Sequence, residues 1–182
     1  MRVTPTALPE VLIVESAVLS DDRGFFMELF HATKFAALGL PTSFEQDNHS
    51  RSGKDTLRGL HYQLHSPQGK LIRTAAGRIF DVAVDVRRSS SNFGKWVGVV
   101  LEGGDGQQLW IPPGFAHGFL VLSETADVSY KCTTVYDAPS DRVIAWNDAE
   151  IAIDWPLPVG VLPRLSAKDS AAPTLALAQI FA

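Results

Sequence analysis

A single cysteine, Cys132, in 182 residues excludes an internal disulfide and fits a reducing compartment. No apolar run approaches the ~20 residues that a membrane-spanning helix requires. The first fifteen residues interrupt their apolar positions with Pro5, Pro9 and Glu10, which is not the pattern of a secretory signal. The expected location is therefore the cytoplasm, with no membrane partner. Positive charge is also scarce: 16 Lys and Arg stand against 20 Asp and Glu, a net charge of -4. That balance argues against a nucleic-acid partner, which calls for a basic face. It leaves room for a small anionic ligand, which needs only a local group of cations. Helix signals are the last scarcity. Residues 33–38 form the one good candidate, with Thr33 placed to cap it, Phe35 and Leu38 at helical spacing, and Gly39-Leu40-Pro41 to end it.

What is present is strand pattern. Short apolar or alternating runs fall at residues 11–19, 25–30, 43–46, 56–63, 70–75, 79–86, 96–101, 107–111, 116–122 and 128–136, separated by Gly, Pro, Asp and Ser clusters. With no helices between the strands, βαβ units are excluded and a sandwich or barrel is favoured. We expect an all-β, cupin-type jelly roll with short peripheral helices. It would form a single domain over residues 1–182, with residues 151–182, rich in Ala, Pro and Leu, packed outside the barrel as an arm or short helices. Sheet edges and apolar surface in such folds are often covered by a second copy, so a homodimer is expected.

The chemistry concentrates in residues 58–70, RGLHYQLHSPQGK. His61 lies in a strand, where a lone histidine is more often structural. Polar Gln63 on the same face and Gly59, which permits close approach, raise the functional reading. Strict alternation puts Gly59, His61 and Gln63 on one face and Arg58, Leu60 and Tyr62 on the other. Arg58 therefore requires either a bulge at Gly59 or a different site from His61, such as one across a dimer interface. His61, His65 and His117 could instead be metal ligands, but Gln63 replaces the second histidine of a His-x-His pair and no glutamate lies between His65 and Glu102. His117 follows a Pro-Pro-Gly turn, and alone it reads as a satisfied turn histidine. Tyr130 and Cys132 share a strand face; a tyrosine there is either a core residue with a bonded hydroxyl or a general acid. Arg23 and Glu28, Gln46 to Asn48, and Ser166 to Asp169 each read first as solvated or capped turns.

Taken together, RGFFME (23–28), FEQDNHSRS (44–52), LRGLHYQ (57–63), QGKLIR (68–73), FDVAVDVR (80–87), FGKWVG (93–98), QLWIPPGFAHGF (108–119), YKCT (130–133), AIDWP (152–156) and LSAKD (165–169) resemble the dTDP-4-dehydrorhamnose 3,5-epimerases along nearly the whole chain. The resemblance implies a dimeric jelly roll that needs neither metal nor cofactor. It implies a dTDP-sugar substrate, dTDP-4-dehydro-6-deoxy-D-glucose, converted to dTDP-4-dehydro-L-rhamnose. It implies His61 as base, Tyr130 as proton donor, Asp169 as the carboxylate orienting His61, and Lys70 beside the sugar ketone. Arg23, Glu28, Gln46, Asp47, Asn48, Arg58, His117, Asp141 and Lys168 match substrate-binding positions. Two departures stand out: Asp141 replaces a glutamate, and Thr134-Val135-Tyr136 carries one aromatic where the family often has two. The alternatives carried forward are a single-position epimerase, a metal-dependent cupin enzyme and a non-catalytic sugar-nucleotide binder.

Overall fold

A computed structural model describes all residues, 1–182. Thirteen strands run in chain order: β1 (Arg2–Pro5), β2 (Leu12–Glu15), β3 (Val18–Asp21), β4 (Gly24–Met27), β5 (Gln46–Gly53), β6 (Leu57–Gln63), β7 (Lys70–Ala76), β8 (Arg78–Asp85), β9 (Trp96–Glu102), β10 (Gln107–Ile111), β11 (Phe115–Val121), β12 (Thr125–Cys132) and β13 (Asp141–Val143). Two short α-helices, α1 (Ala32–Ala37) and α2 (Ala167–Ser170), and a 3-10 turn at Ala138–Ser140 accompany them. No helix is long and apolar enough to cross a membrane.

The strands form a six-stranded sheet, β1-β2-β10-β7-β12-β5, and a five-stranded sheet, β13-β6-β11-β8-β9, with β3 and β4 as a separate hairpin. All the pairings are antiparallel. This is the cupin-type β-sandwich expected from the strand spacing. Alternation within the strands builds its layers. Ile72, Ile79, Ala83, Leu109, Ile111, Phe115, Phe119 and Val128 point between the sheets and form one core. The opposite positions of the five-stranded sheet, including Leu57, Leu60, Tyr62, Val82, Val84, Ala116 and Leu120, would face water were it not for Ile151, Trp155 and Leu175 of the C-terminal segment, which pack over them. Asp148 anchors this arm, its carboxylate accepting from the backbone N–H groups of Glu150, Ile151 and Leu175. Helix α1 covers the outer face of the larger sheet, burying Phe35 with Val14, Leu71 and Trp110.

Three expectations need correction. The apolar run at residues 11–19 is two strands broken at Ser16-Ala17, because β2 joins the large sheet while β3 turns away into the hairpin. Helix α1 is capped by His31 with no side-chain cap bond, not by Thr33, which lies inside the helix. The strand expected at residues 43–46 is β5, which begins only at Gln46 and continues through the polar QDNHSRSG. An edge strand with solvent on one face and a polar cavity on the other has no apolar alternation to reveal it.

Candidate active site

The cavity lies between the sheets, where β5, β12 and β7 of one face β6 and β11 of the other. Its deep part, about 120 Å³, is lined by Ser50, Arg58, His61, Lys70, His117, Phe119 and Tyr130. A wider mouth, about 320 Å³, shares His61, Lys70 and Tyr130 and adds Gln46, Asn48, Gln63, Gln68, Tyr136 and Asp141. The largest depression, about 410 Å³, opens elsewhere: it has neither His61 nor Lys70 on its wall.

A bulge in β6 settles the parity of Arg58 and His61. On β11 His117 pairs with His61 and Phe119 with Arg58, so three steps on β6 match two on β11. The extra residue is Gly59, with φ +127°, and a Cβ there would lie 2.5 Å from the Cα of Gly118 and 2.8 Å from the carbonyl oxygen of His117. Only glycine opposite glycine permits that approach. Arg58 and His61 consequently reach the same cavity, whereas Leu60 and Tyr62 join the core on the far side of the sheet.

His61 is held by a buried acid from far along the chain. Its Nε2 lies 2.5 Å from Asp169 Oδ1, and Asp169 is 4% exposed. Ser166 caps α2 by accepting from the backbone N–H of Asp169, and its hydroxyl donates to Asp169 Oδ2 at 2.8 Å. Burial pushes the Asp169 carboxyl up, but hydrogen bonding and charge from His61, with Ser166 and Lys168, outweigh it and hold the group below the ordinary carboxylate range. The capped turn of the sequence is thus also the mount of a carboxylate. With Nε2 donating to Asp169, Nδ1 is left to take a proton.

Lys70 is 8% exposed, and its Nζ donates to the His61 carbonyl at 3.4 Å. Burial lowers its pKa, against the pull of Cys132, Asp141 and Asp81. Tyr130 stands on β12 within the same cavity. Burial, with Cys132 beside it, raises its phenol pKa despite Arg58, so the hydroxyl keeps its proton through the neutral range. His117 forms a second histidine–acid pair, its Nε2 2.9 Å from Asp81 Oδ2, with both residues buried. Arg58 donates from Nε to Ser52 Oγ at 3.0 Å.

At the mouth, Gln46 donates to Asn48 (2.9 Å) and accepts from the backbone N–H of Tyr136 (2.6 Å). Asp141 accepts from the Tyr136 hydroxyl at 2.9 Å and pairs with Lys168. Asp47 falls on the outward face of β5, where it pairs with Lys131 at 2.6 Å. Arg23 and Glu28 lie outside the His61 cavity, paired with Asp21 and Lys34 on and beside the β3-β4 hairpin. His61 and His117 each face an acid rather than one another, His65 is exposed, and no group of three or more His, Cys, Asp or Glu side chains is arranged to hold a metal ion.

Residue reasoning missed Ser50, Gln68, Phe119, Tyr136 and Asp81. Asp81 did carry a signal, an acid inside the apolar run of β8, where a buried carboxylate demands a partner. Nothing in the local pattern around Ser50 distinguished it.

A histidine bonded to a buried carboxylate, with a lysine beside it and a tyrosine on the same cavity wall of a cupin-type sandwich, brings together the kinds of group that can move a proton at carbon next to a carbonyl. A sequence model described as dTDP-4-dehydrorhamnose 3,5-epimerase matches residues 5–177. The chain is 56% identical to the dTDP-4-dehydrorhamnose 3,5-epimerase of Escherichia coli K12 over 171 residues, covering 93% of this chain and 91% of that one. It is 53% identical to the enzyme of that name from Salmonella typhimurium over 177 residues, 96% of each chain. The crystal structure of the dTDP-6-deoxy-D-glucose-3,5-epimerase of Legionella pneumophila, in complex with dTDP-4-keto-L-rhamnose, superposes with a TM-score of 0.92 at 50% identity, covering 97% of this chain and 93% of that one. The chain belongs to the dTDP-4-dehydrorhamnose 3,5-epimerase family and is an isomerase.

Proposed function

We propose that the chain epimerises dTDP-4-dehydro-6-deoxy-D-glucose at C3 and C5 to give dTDP-4-dehydro-L-rhamnose. The observation that carries this reading is the buried Asp169–His61 pair opening onto a cavity that also holds Lys70 and Tyr130. C3 and C5 each flank the C4 ketone, so removing either proton gives an enolate. His61 Nδ1 takes the proton, and Asp169 stabilises the imidazolium that forms. Lys70 Nζ faces the oxygen on which negative charge develops. Tyr130 gives its proton to the carbon from the opposite face, inverting the centre; before the second carbon reacts, His61 releases the proton it took to solvent and Tyr130 regains one from solvent. Arg58 and His117 bind the anionic part of the substrate, which accounts for how an acidic protein accepts a diphosphate. Gln46, Asn48, Asp141 and Lys168 order the mouth around Tyr136.

A homodimer fits the same reading. Leu19, Phe25 and Phe26 on the β3-β4 hairpin are 64%, 59% and 67% exposed, an apolar surface that a second copy would cover. Covering it would also bring Arg23 and Glu28 to a neighbouring chain, the route by which these two residues could serve a site they do not reach in their own.

The test is NMR of the sugar nucleotide incubated with the protein in D2O. Deuterium at both C3 and C5, with inversion at both, is the expected result. Exchange at C3 alone would make the chain a single-position epimerase, and no exchange at either carbon would refute the reading.

A further inference from the structure

Two buried side-chain oxygens in the molecule have no hydrogen-bond partner, Ser50 Oγ and Thr74 Oγ1. Leaving a buried hydroxyl unpaired costs from a few-fold to about a hundredfold in the folding equilibrium constant, so each calls for an explanation. Thr74 lines no cavity and packs beside Val128 on the adjoining strand. Ser50 is different. It sits on the inward face of β5, on the wall of the deep cavity with Arg58, His61, Lys70, His117 and Tyr130. The next inward residues along the strand are already engaged: Asn48 is bonded to Gln46, and Ser52 accepts from Arg58.

We propose that Ser50 is a substrate-binding residue whose hydroxyl accepts a hydrogen bond from a ring hydroxyl of the sugar. This rests on the epimerase reading above and adds a specificity contact to it. Arg58 and Lys70 can only donate. His117 Nε2 is committed to Asp81. His61 must keep Nδ1 for the carbon-bound proton, and Tyr130 must present its proton to carbon. A sugar hydroxyl in this cavity has a proton to place, and Ser50 Oγ is a neutral acceptor on its wall that no group of the chain engages. No group of the chain competes for Ser50 Oγ. A site built around a substrate hydroxyl discriminates strongly against analogues that lack it.

The experiment compares wild type, Ser50→Ala and Thr74→Val on the dTDP-4-keto-6-deoxysugar and on analogues lacking the hydroxyl at C2 or at C3, measured as kcat/KM for deuterium uptake from D2O together with the melting temperature. Ser50→Ala is expected to lose about five- to fiftyfold in kcat/KM on the full substrate with a melting temperature equal to or above wild type, because an unsatisfied group has been removed. Against one of the two deoxy analogues wild type and Ser50→Ala should react alike, since the hydrogen bond is then missing in both. Thr74→Val should keep wild-type kinetics. If Ser50→Ala folds poorly, Ser50→Cys, which retains the shape but accepts weakly, takes its place with the same expectation. Wild-type exchange with kcat/KM of the Ser50 variant within twofold of wild type would overturn the proposal while leaving the epimerase reading intact. A Ser50 penalty that persists undiminished on both deoxy analogues would also overturn it. Absence of exchange by wild type would instead be a failure of the epimerase reading.

Discussion

Replacing Asp169 with asparagine keeps the volume of a 4% exposed side chain while removing its charge. The carboxylate now uses one oxygen for His61 Nε2, at 2.5 Å, and the other for the Ser166 hydroxyl, at 2.8 Å. An amide can satisfy only one of these as an acceptor. If its oxygen faces His61, the tautomer survives but the imidazolium formed during proton removal has no counter-anion. If its NH2 faces His61, Nε2 must accept, the proton moves to Nδ1, and the base is occupied before the reaction starts. With charge centres about 4 Å apart and an effective dielectric near 20, the lost attraction is up to about 4 kcal/mol. We therefore expect kcat for deuterium exchange to fall by roughly 10²–10³ with a much smaller change in KM. The same substitution alters stability against pH. Asp169 ionises at lower pH folded than unfolded. The stability it contributes is thus fully present above the unfolded carboxyl range, about 4, and is lost as pH falls through the folded value. The acid limb of a plot of melting temperature against pH should flatten in the variant. Exchange within threefold of wild type, with an unchanged acid limb, would refute the role given to this carboxylate.

Three further substitutions test other parts of the site. Lys70→Met should lower kcat by roughly 10²–10³ by removing the cation beside the enolate oxygen. Because burial lowers the pKa of Lys70, the folded chain releases this proton at lower pH than the unfolded one, and wild-type stability gains between those two values as pH rises. The methionine variant should lose that gain and be at least as stable at neutral pH, as thermal unfolding from pH 7 to 11 would show. Tyr130→Phe should abolish inversion while proton removal continues, seen by NMR as exchange without a new diastereomer. The raised Tyr130 pKa also makes the wild type lose stability above pH 10, and the Phe variant should lose less there. Gly59→Ala places a Cβ 2.5 Å from the Gly118 Cα at φ +127° and should destabilise by about 2–4 kcal/mol in urea unfolding.

The sandwich was legible because its strands alternate and its turns carry Gly, Pro and Asp at short intervals. Where the pattern was silent, a physical cause is visible. Strand β5 lies between water and a polar cavity, so apolar spacing had nothing to report, and Ser50 went unnoticed with it. Strict alternation put Arg58 on the face opposite His61 and left a bulge at Gly59 as one of two ways to reconcile them; the register shift and the contact of Gly59 with Gly118, on another strand, decide for the bulge. The partnership of His61 with Asp169 spans 108 positions. No spacing rule links two such residues, and the pairing entered through family resemblance. Arg23 and Glu28 entered the same way, and a single chain does not bring them to the cavity. Asp81 was within reach of residue reasoning alone: an acid amid Phe80, Val82 and Val84 demands a buried cation or donor, and His117 supplies it.

His61 is the group that removes the protons at both carbons in the proposed reaction. The direct measurement is deuterium incorporation at C3 and C5 of the dTDP-4-keto-6-deoxysugar in D2O, by NMR, with His61→Ala set beside wild type. Exchange is expected at both positions with wild type and at neither with the variant, whose circular dichroism and melting remain those of a folded protein. Wild-type rates of exchange at either carbon in the His61 variant would contradict that role.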